Sequence, residues 1–173
     1  MRLRTVDDLG DLRGKRVLLR VDFNVPIARG RVSDDTKIRL TMPTIEQLRT
    51  SGARVILMTH LGSGHASLAP IARHLTPMLR VRNDLLLRPR LASAALDRAI
   101  AGIRDGGVAF FGNLRSYLGE EANSATFARY LAALGDVYVN DAFAVCHRTH
   151  ASVARLPMLL PSAAGSLLTH EVA

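Results

Sequence analysis

The chain has 173 residues, of which 48% are hydrophobic, and carries a formal net charge of +8 with one cysteine and no tryptophan. That apolar content supports a single sizeable core and excludes a disordered chain, while no apolar run reaches the roughly 18 residues of a membrane span. The charged start (Arg2, Arg4, Asp7, Asp8) lacks the apolar stretch of a signal peptide and Cys146 has no internal disulfide partner, so a cytoplasmic setting is expected.

In chain order, Arg16–Val21 reads as a buried strand and Met42–Ser51 as a helix with Pro43 in its first turn and Gly52 at its end. Arg54–Thr59 is a second strand, Leu68–Arg80 a helix, and Val81 begins a third strand. Leu91–Arg104 reads as a helix, Val108–Phe111 as a strand opened by Gly106-Gly107, and Ala122–Leu134 as a helix. Asp136–Val139 is the fifth strand, and Pro161–Val172 a closing helix. Strands apolar on both faces that alternate with helices predict α/β architecture: three α/β/α layers, a parallel sheet with helices on both faces.

In such sheets ligands sit beyond the carboxyl ends of the strands. The loops there hold Asp22-Phe23-Asn24, His60-Leu61-Gly62-Ser63-Gly64, Asn113-Leu114-Arg115, and Asn140-Asp141 followed by His147-Arg148. Four such loops together predict a basic cleft for an anion. Nearly all of the positive charge is arginine, with only Lys15 and Lys37 as lysines, which fits a compositional bias as well as an acidic ligand. Aromatics are 5% and no basic cluster is interleaved with stacking residues, which argues against nucleic acid. There is no GxxxxGK[ST] loop, and Gly62-Ser63-Gly64 lacks the acidic partner of a dinucleotide site. Phosphate would therefore be held by side chains, for which the arginine fork is suited, and Arg115 and Arg148 are placed for it. Cys146, His147 and His150 lack a fourth metal ligand at a recognisable spacing, so no metal is expected. Asp34-Asp35 reads as a turn and Glu120-Glu121 as a helix start.

The segments KRVLLRVDFNVP, DDTKIRLTMPTI, VILMTHLGSG, NLRSYLGEEAN, DVYVNDAF, HRTHAS and LPSAAG, in this order and spacing, resemble the amino-terminal domain of phosphoglycerate kinase over nearly the whole chain. The resemblance implies a single domain over residues 1–173 that binds 3-phosphoglycerate, and phosphoryl transfer between ATP and its carboxylate, a glycolytic step. It implies that Mg-ATP or Mg-ADP belongs to a carboxyl-terminal nucleotide-binding domain not included in this sequence, with no cofactor in this chain. Asp22 and Asn24 would contact the glycerate part, with His60 in the same pocket and Phe23, Leu61, Gly62 and Ser63 in the loops that form it. Arg115 and Arg148 would clamp the 3-phosphate, and Lys37 would serve catalysis by neutralising charge near the transferring group.

The sequence departs from the family pattern at several of these positions. Lys37 and Ser63 stand where the family has arginines, Ser116 ends a segment that in the family reads ENLRF, and Ala144-Val145-Cys146 replaces its GTA. Loss of one charged hydrogen-bonding partner costs about 1.5–3 kcal/mol, so weaker 3-phosphoglycerate binding is expected. Two other readings stand beside the first: a split carboxylate kinase with a different acidic acceptor and a separate nucleotide-binding chain, or a non-catalytic module that binds an anion or a partner.

Overall fold

The computed structural model describes residues 3–62, 64–79, 83–86 and 93–173, the segment 83–86 as backbone only. Ser63 and Val81, named above, lie outside the described residues, as do Arg80 at the end of one predicted helix and Leu91 at the start of the next.

The strands of the main sheet are β1 (Arg16–Arg20), β4 (Arg54–Met58), β5 (Asn83–Leu86), β6 (Val108–Phe111), β7 (Val137–Asn140) and β8 (Ser162–Ala164). They pair in the order β5-β6-β4-β1-β7-β8, every pair parallel. A small hairpin, β2 (Ile27–Ala28) and β3 (Arg31–Val32), lies outside this sheet. The helices are α1 (Thr36–Thr50), α2 (Ala69–Leu79), α3 (Ala94–Ala101), the short α4 (Leu118–Glu121), α5 (Ala125–Ala132) and α6 (Ser166–Val172).

Alternation along each strand divides the core between the two faces of the sheet. Val17, Leu19, Val55, Leu57, Phe110 and Val139 pack with Ile38, Ile45 and Leu48 of α1 and Ile71 and Leu75 of α2. Leu18, Ile56, Met58, Ala109, Phe111 and Tyr138 pack on the other face with Leu96 and Ile100 of α3 and Phe127 and Leu131 of α5. The expected three-layer α/β/α arrangement is therefore present. The chain leaves β1 toward β4 on one side, then returns to β7 on the other. The strand order thus reverses between β1 and β7, where a ligand crevice forms in such sheets.

Three element boundaries differ from the sequence reading. Helix α1 begins at Thr36, six residues ahead of Met42, so Pro43 sits inside it. Asp34 Oδ1 accepts from the Thr36 amide at 2.9 Å and hydroxyl at 2.6 Å, and Ile38 is buried, so local capping and core burial carry the helix past the proline. The segment read as helix from Pro161 begins as strand β8, paired with β7 through Tyr138↔Ser162 to Asn140↔Ala164. Helix starts only after the extended Gly165, where Thr44 Oγ1 accepts from the Ser166 amide at 2.9 Å. The helix read from Ala122 is delayed by Asn123, which holds a left-handed φ of 49°, and Ser124 caps α5 by accepting from the Phe127 amide.

Candidate active site at the carboxyl edge of the sheet

All four loops named above leave the same edge, because the strands that feed them are parallel. Beyond β1, Asp22 Oδ1 accepts from the Asn24 amide at 3.2 Å, and Asn24 Oδ1 accepts from the Gly62 amide at 3.1 Å. The polar pair after the first strand thus ties the β1 and β4 loops together. Between them Phe23 turns away: its side chain is fully buried, its ring 6.4 Å from that of Phe110, and its amide donates to Thr59 Oγ1. Phe23, grouped with the site from sequence, is a core residue, and it sets the outward direction of its two neighbours.

Lys37, in the first turn of α1, places Nζ 2.7 Å from Asp22 Oδ2. The lysine is half exposed and the aspartate nearly covered. A cavity of about 250 Å3 opens beside this pair, lined by Leu40, Thr41, Phe143 and Leu167 among others.

Asn113, after β6, organises the next loop. Its Nδ2 donates to Leu61 O at 2.7 Å and to Ala66 O at 3.2 Å, while Oδ1 accepts from the amides of Leu61 and Arg115. Leu61 is buried, so it contributes its backbone. Arg115 donates from Nη1 to Gly62 O at 2.9 Å, and its Nε lies 3.3 Å from Glu121 Oε1 without the geometry of a hydrogen bond. Gly64, at φ 95°, comes so near this turn that a Cβ there would lie 2.2 Å from Arg115 O, so only glycine permits the approach. Arg148 is exposed, and its guanidinium has no protein partner among the described residues.

Under these loops lies a buried charged network that sequence reasoning passed over. Arg20, at the end of β1, is 1% exposed. It donates to Ser152 Oγ at 3.1 Å, to Val21 O, and from Nη2 to His60 Nδ1 at 3.2 Å. Ser152 donates from its hydroxyl to Glu120 Oε1 at 2.6 Å and from its amide to Oε2 at 3.0 Å. Glu120 does lie in the first turn of α4, as the sequence reading has it, but it is also a buried counter-charge, 1% exposed, because Ser152 in the π turn Ala151–Arg155 donates to both its oxygens. The signal in the sequence was an arginine closing an otherwise apolar strand; Ser152, which it meets, lies 132 residues away.

The network fixes the state of His60. Burial, then the nearby Arg20 charge and that of Arg115, lower its pKa from 6.5 to about 4, against the opposing pull of Asp22. The ring is therefore neutral at pH 7. Because Arg20 donates to Nδ1, the proton sits on Nε2. Burial similarly lowers the pKa of His150, opposed by Glu120. Asp141, after β7, is fully buried with its pKa raised by burial; its Oδ1 accepts from the Leu168 amide. It thus closes the start of α6. Cys146 accepts from Asn140 Nδ2 at 3.4 Å. Among the described residues no group of three or more His, Cys, Asp and Glu side chains is placed to hold a metal ion. No helix among them is long and apolar enough to cross a membrane.

The structure thus brings Asp22, Asn24, Lys37, Gly62 and Arg115 into one connected group at this edge, with His60 buried beneath them beside Arg20 and Arg148 in the loop after β7. A neutral imidazole, two amide-bearing loops and cationic side chains over a buried guanidinium are suited to a small carboxylate or phosphate ester.

The family model for phosphoglycerate kinase matches residues 6–173. The phosphoglycerate kinase of Methylorubrum extorquens is 45% identical over 174 residues, covering 98% of this chain and 43% of that protein. That of Moorella thermoacetica is 47% identical over 178 residues, covering 97% and 44%. Among solved structures, phosphoglycerate kinase from Coxiella burnetii aligns over 99% of this chain and 43% of its own, with a TM-score of 0.86 at 32% identity. The Pyrococcus horikoshii enzyme aligns over 98% and 44%, with a TM-score of 0.88 at 28% identity. The chain therefore spans a little under half the length of these relatives.

Proposed function

The chain belongs to the phosphoglycerate kinase family, and we propose that it is the half of such an enzyme that binds the acceptor, 3-phosphoglycerate. The observation that carries this reading is the convergence of Asp22, Asn24, His60 and Arg115 on one edge of a parallel sheet, over the buried Arg20. Transfer of a phosphoryl group to a carboxylate asks the protein for positioning and charge stabilisation more than for covalent chemistry. In the proposed arrangement Asp22 and Asn24 orient the glycerate hydroxyl and carboxylate, and His60 donates from Nε2. Arg115 and Arg148 hold the 3-phosphate through charged hydrogen bonds. Lys37 is the residue nearest to a catalytic role, offsetting charge on the transferring group, for which its ammonium must be shared with or released from Asp22.

Bound to a second, carboxyl-terminal domain, Mg-ATP would supply the phosphoryl group, and Mg-ADP would accept it in the reverse direction. That domain would pack over the exposed Leu40 and Phe143 beside the 250 Å3 cavity, with residues 1–173 as one domain in a cytoplasmic, glycolytic enzyme. The chain alone then binds the acceptor and turns nothing over. Calorimetry with 3-phosphoglycerate tests the site: Arg115→Ala and Arg148→Ala should each weaken binding about tenfold, the scale of one charged hydrogen bond. Unchanged affinity in both variants would remove the assignment. The substitutions at Lys37 and Ser63 favour a second reading, a different acidic acceptor. It predicts that another small phosphorylated or carboxylated acid displaces 3-phosphoglycerate from the same cleft.

A further inference from the structure

A second concentration of positive charge lies away from this cleft. The β2–β3 hairpin and the exposed side of α2 enclose a cavity of about 580 Å3 lined by Arg29, Gly30, Arg31, Pro70, Arg73 and His74, with Val32 at its side. None of these residues belongs to the strand-end site. Two links build the pocket: Arg73 Nη2 donates to Gly30 O at 3.2 Å, joining helix to hairpin, and His74 Nε2 meets Asp35 Oδ2 at 2.9 Å. Asp35 is also paired with Arg39. No carboxylate pairs with Arg29, Arg31 or Arg73 among the described residues. The hairpin turn holds Arg29 at φ 50° and Gly30 at φ 73°, a tight left-handed pair. It sets the arginines on either side of Gly30 at the mouth of the pocket.

We propose that this hairpin–helix pocket is a second anion site that takes a small molecule carrying two or more linked phosphate groups. Three guanidinium groups without counter-ions on two different elements match separate phosphates, since each fork pairs with the oxygens of one group. The cavity is roomier than one phosphate requires, and a single exposed arginine would hold an anion only weakly against solvent and salt. The phosphates could belong to a free oligophosphate or to the tail of a nucleotide, and the chemistry recognised is the same.

The test is titration of the 15N-labelled chain with tripolyphosphate at low salt, followed by amide shifts. Gly30, Arg31, Val32 and Arg73 should move together. Arg31→Gln and Arg73→Gln should each raise the Kd by about fivefold or more, and binding should weaken as salt rises. Both side chains are exposed, so an unchanged unfolding midpoint shows that either variant is intact. Shifts confined to the loops of Gly62, Arg115 and Arg148, or an unchanged Kd in both variants, would overturn the proposal. In a parallel arm, ATP binding as tightly as tripolyphosphate identifies the phosphate tail as the part recognised; ATP binding without tripolyphosphate binding sinks the idea. Failure here leaves the strand-end site standing, because the two sets of residues do not overlap.

Discussion

Replacing Glu120 by glutamine removes one buried charge and little volume. Glu120 is linked to Arg20 through Ser152, by contacts of 2.6 and 3.1 Å. Two unit charges within about 6 Å at an effective dielectric constant near 20 attract by about 3 kcal/mol. Arg20 is fully buried, so desolvation already lowers its pKa, and the Glu120 charge is the largest effect acting the other way. Without it Arg20 keeps its hydrogen bonds but loses its compensation. Breaking a buried pair in this manner costs about 3–5 kcal/mol; because glutamine still reaches the Ser152 amide, Glu120→Gln should fall at the lower end, about 3 kcal/mol. Total stability of a domain is only about 5–15 kcal/mol, so the effect would be plain in urea unfolding followed by circular dichroism. A double-mutant cycle with Arg20→Met separates the charge coupling from packing, since both changes together should cost less than their separate effects combined. A loss below about 0.5 kcal/mol for Glu120→Gln, or strict additivity in the cycle, would refute the argument that Arg20 depends on Glu120.

Three further outcomes are expected. His60 titrates near 4 in the folded chain and near 6.5 when unfolded, so its contribution to stability is complete above pH 6.5 and is lost as pH falls toward 4. His60→Gln should flatten the pH dependence of the unfolding midpoint over that window, and an unaltered slope would show that the ring is not held neutral by its surroundings. Ser63→Arg should tighten 3-phosphoglycerate binding at low salt, about tenfold for each 1.4 kcal/mol gained, with a smaller gain for Lys37→Arg, which already has its charge; no gain from Ser63→Arg favours a different acceptor. Gly165→Ala should destabilise by about 1–3 kcal/mol as an overpacked site, because a Cβ there would lie 2.3 Å from the buried Asp141 Oδ1; thermal unfolding within error of the parent chain would contradict that crowding.

By itself the sequence determined the class of fold and the edge at which its polar loops gather. Runs such as Val17-Leu18-Leu19 and Val55-Ile56-Leu57 are apolar on both faces, which only a covered sheet can satisfy, and parallel strands send their following loops to one side. Asp22, Asn24, His60 and Arg115 could be placed at that edge for that reason, each lying in a segment that follows an apolar strand. Their neighbour Phe23 was misassigned, because adjacency cannot tell which way a side chain turns when the strand ends. Tertiary structure alone decided the rest. Ser162–Ala164 became a strand because β7 had an open edge, a fact about the sheet rather than about those residues. Arg20, Glu120 and Ser152 form one unit only after β1, α4 and the turn after β7 have packed together, since a buried charge is tolerated where its partners meet and those partners lie far apart in the chain. The protonation state of His60 follows from the same cause: an imidazole keeps its ordinary pKa until folding takes it out of water and sets a guanidinium against it.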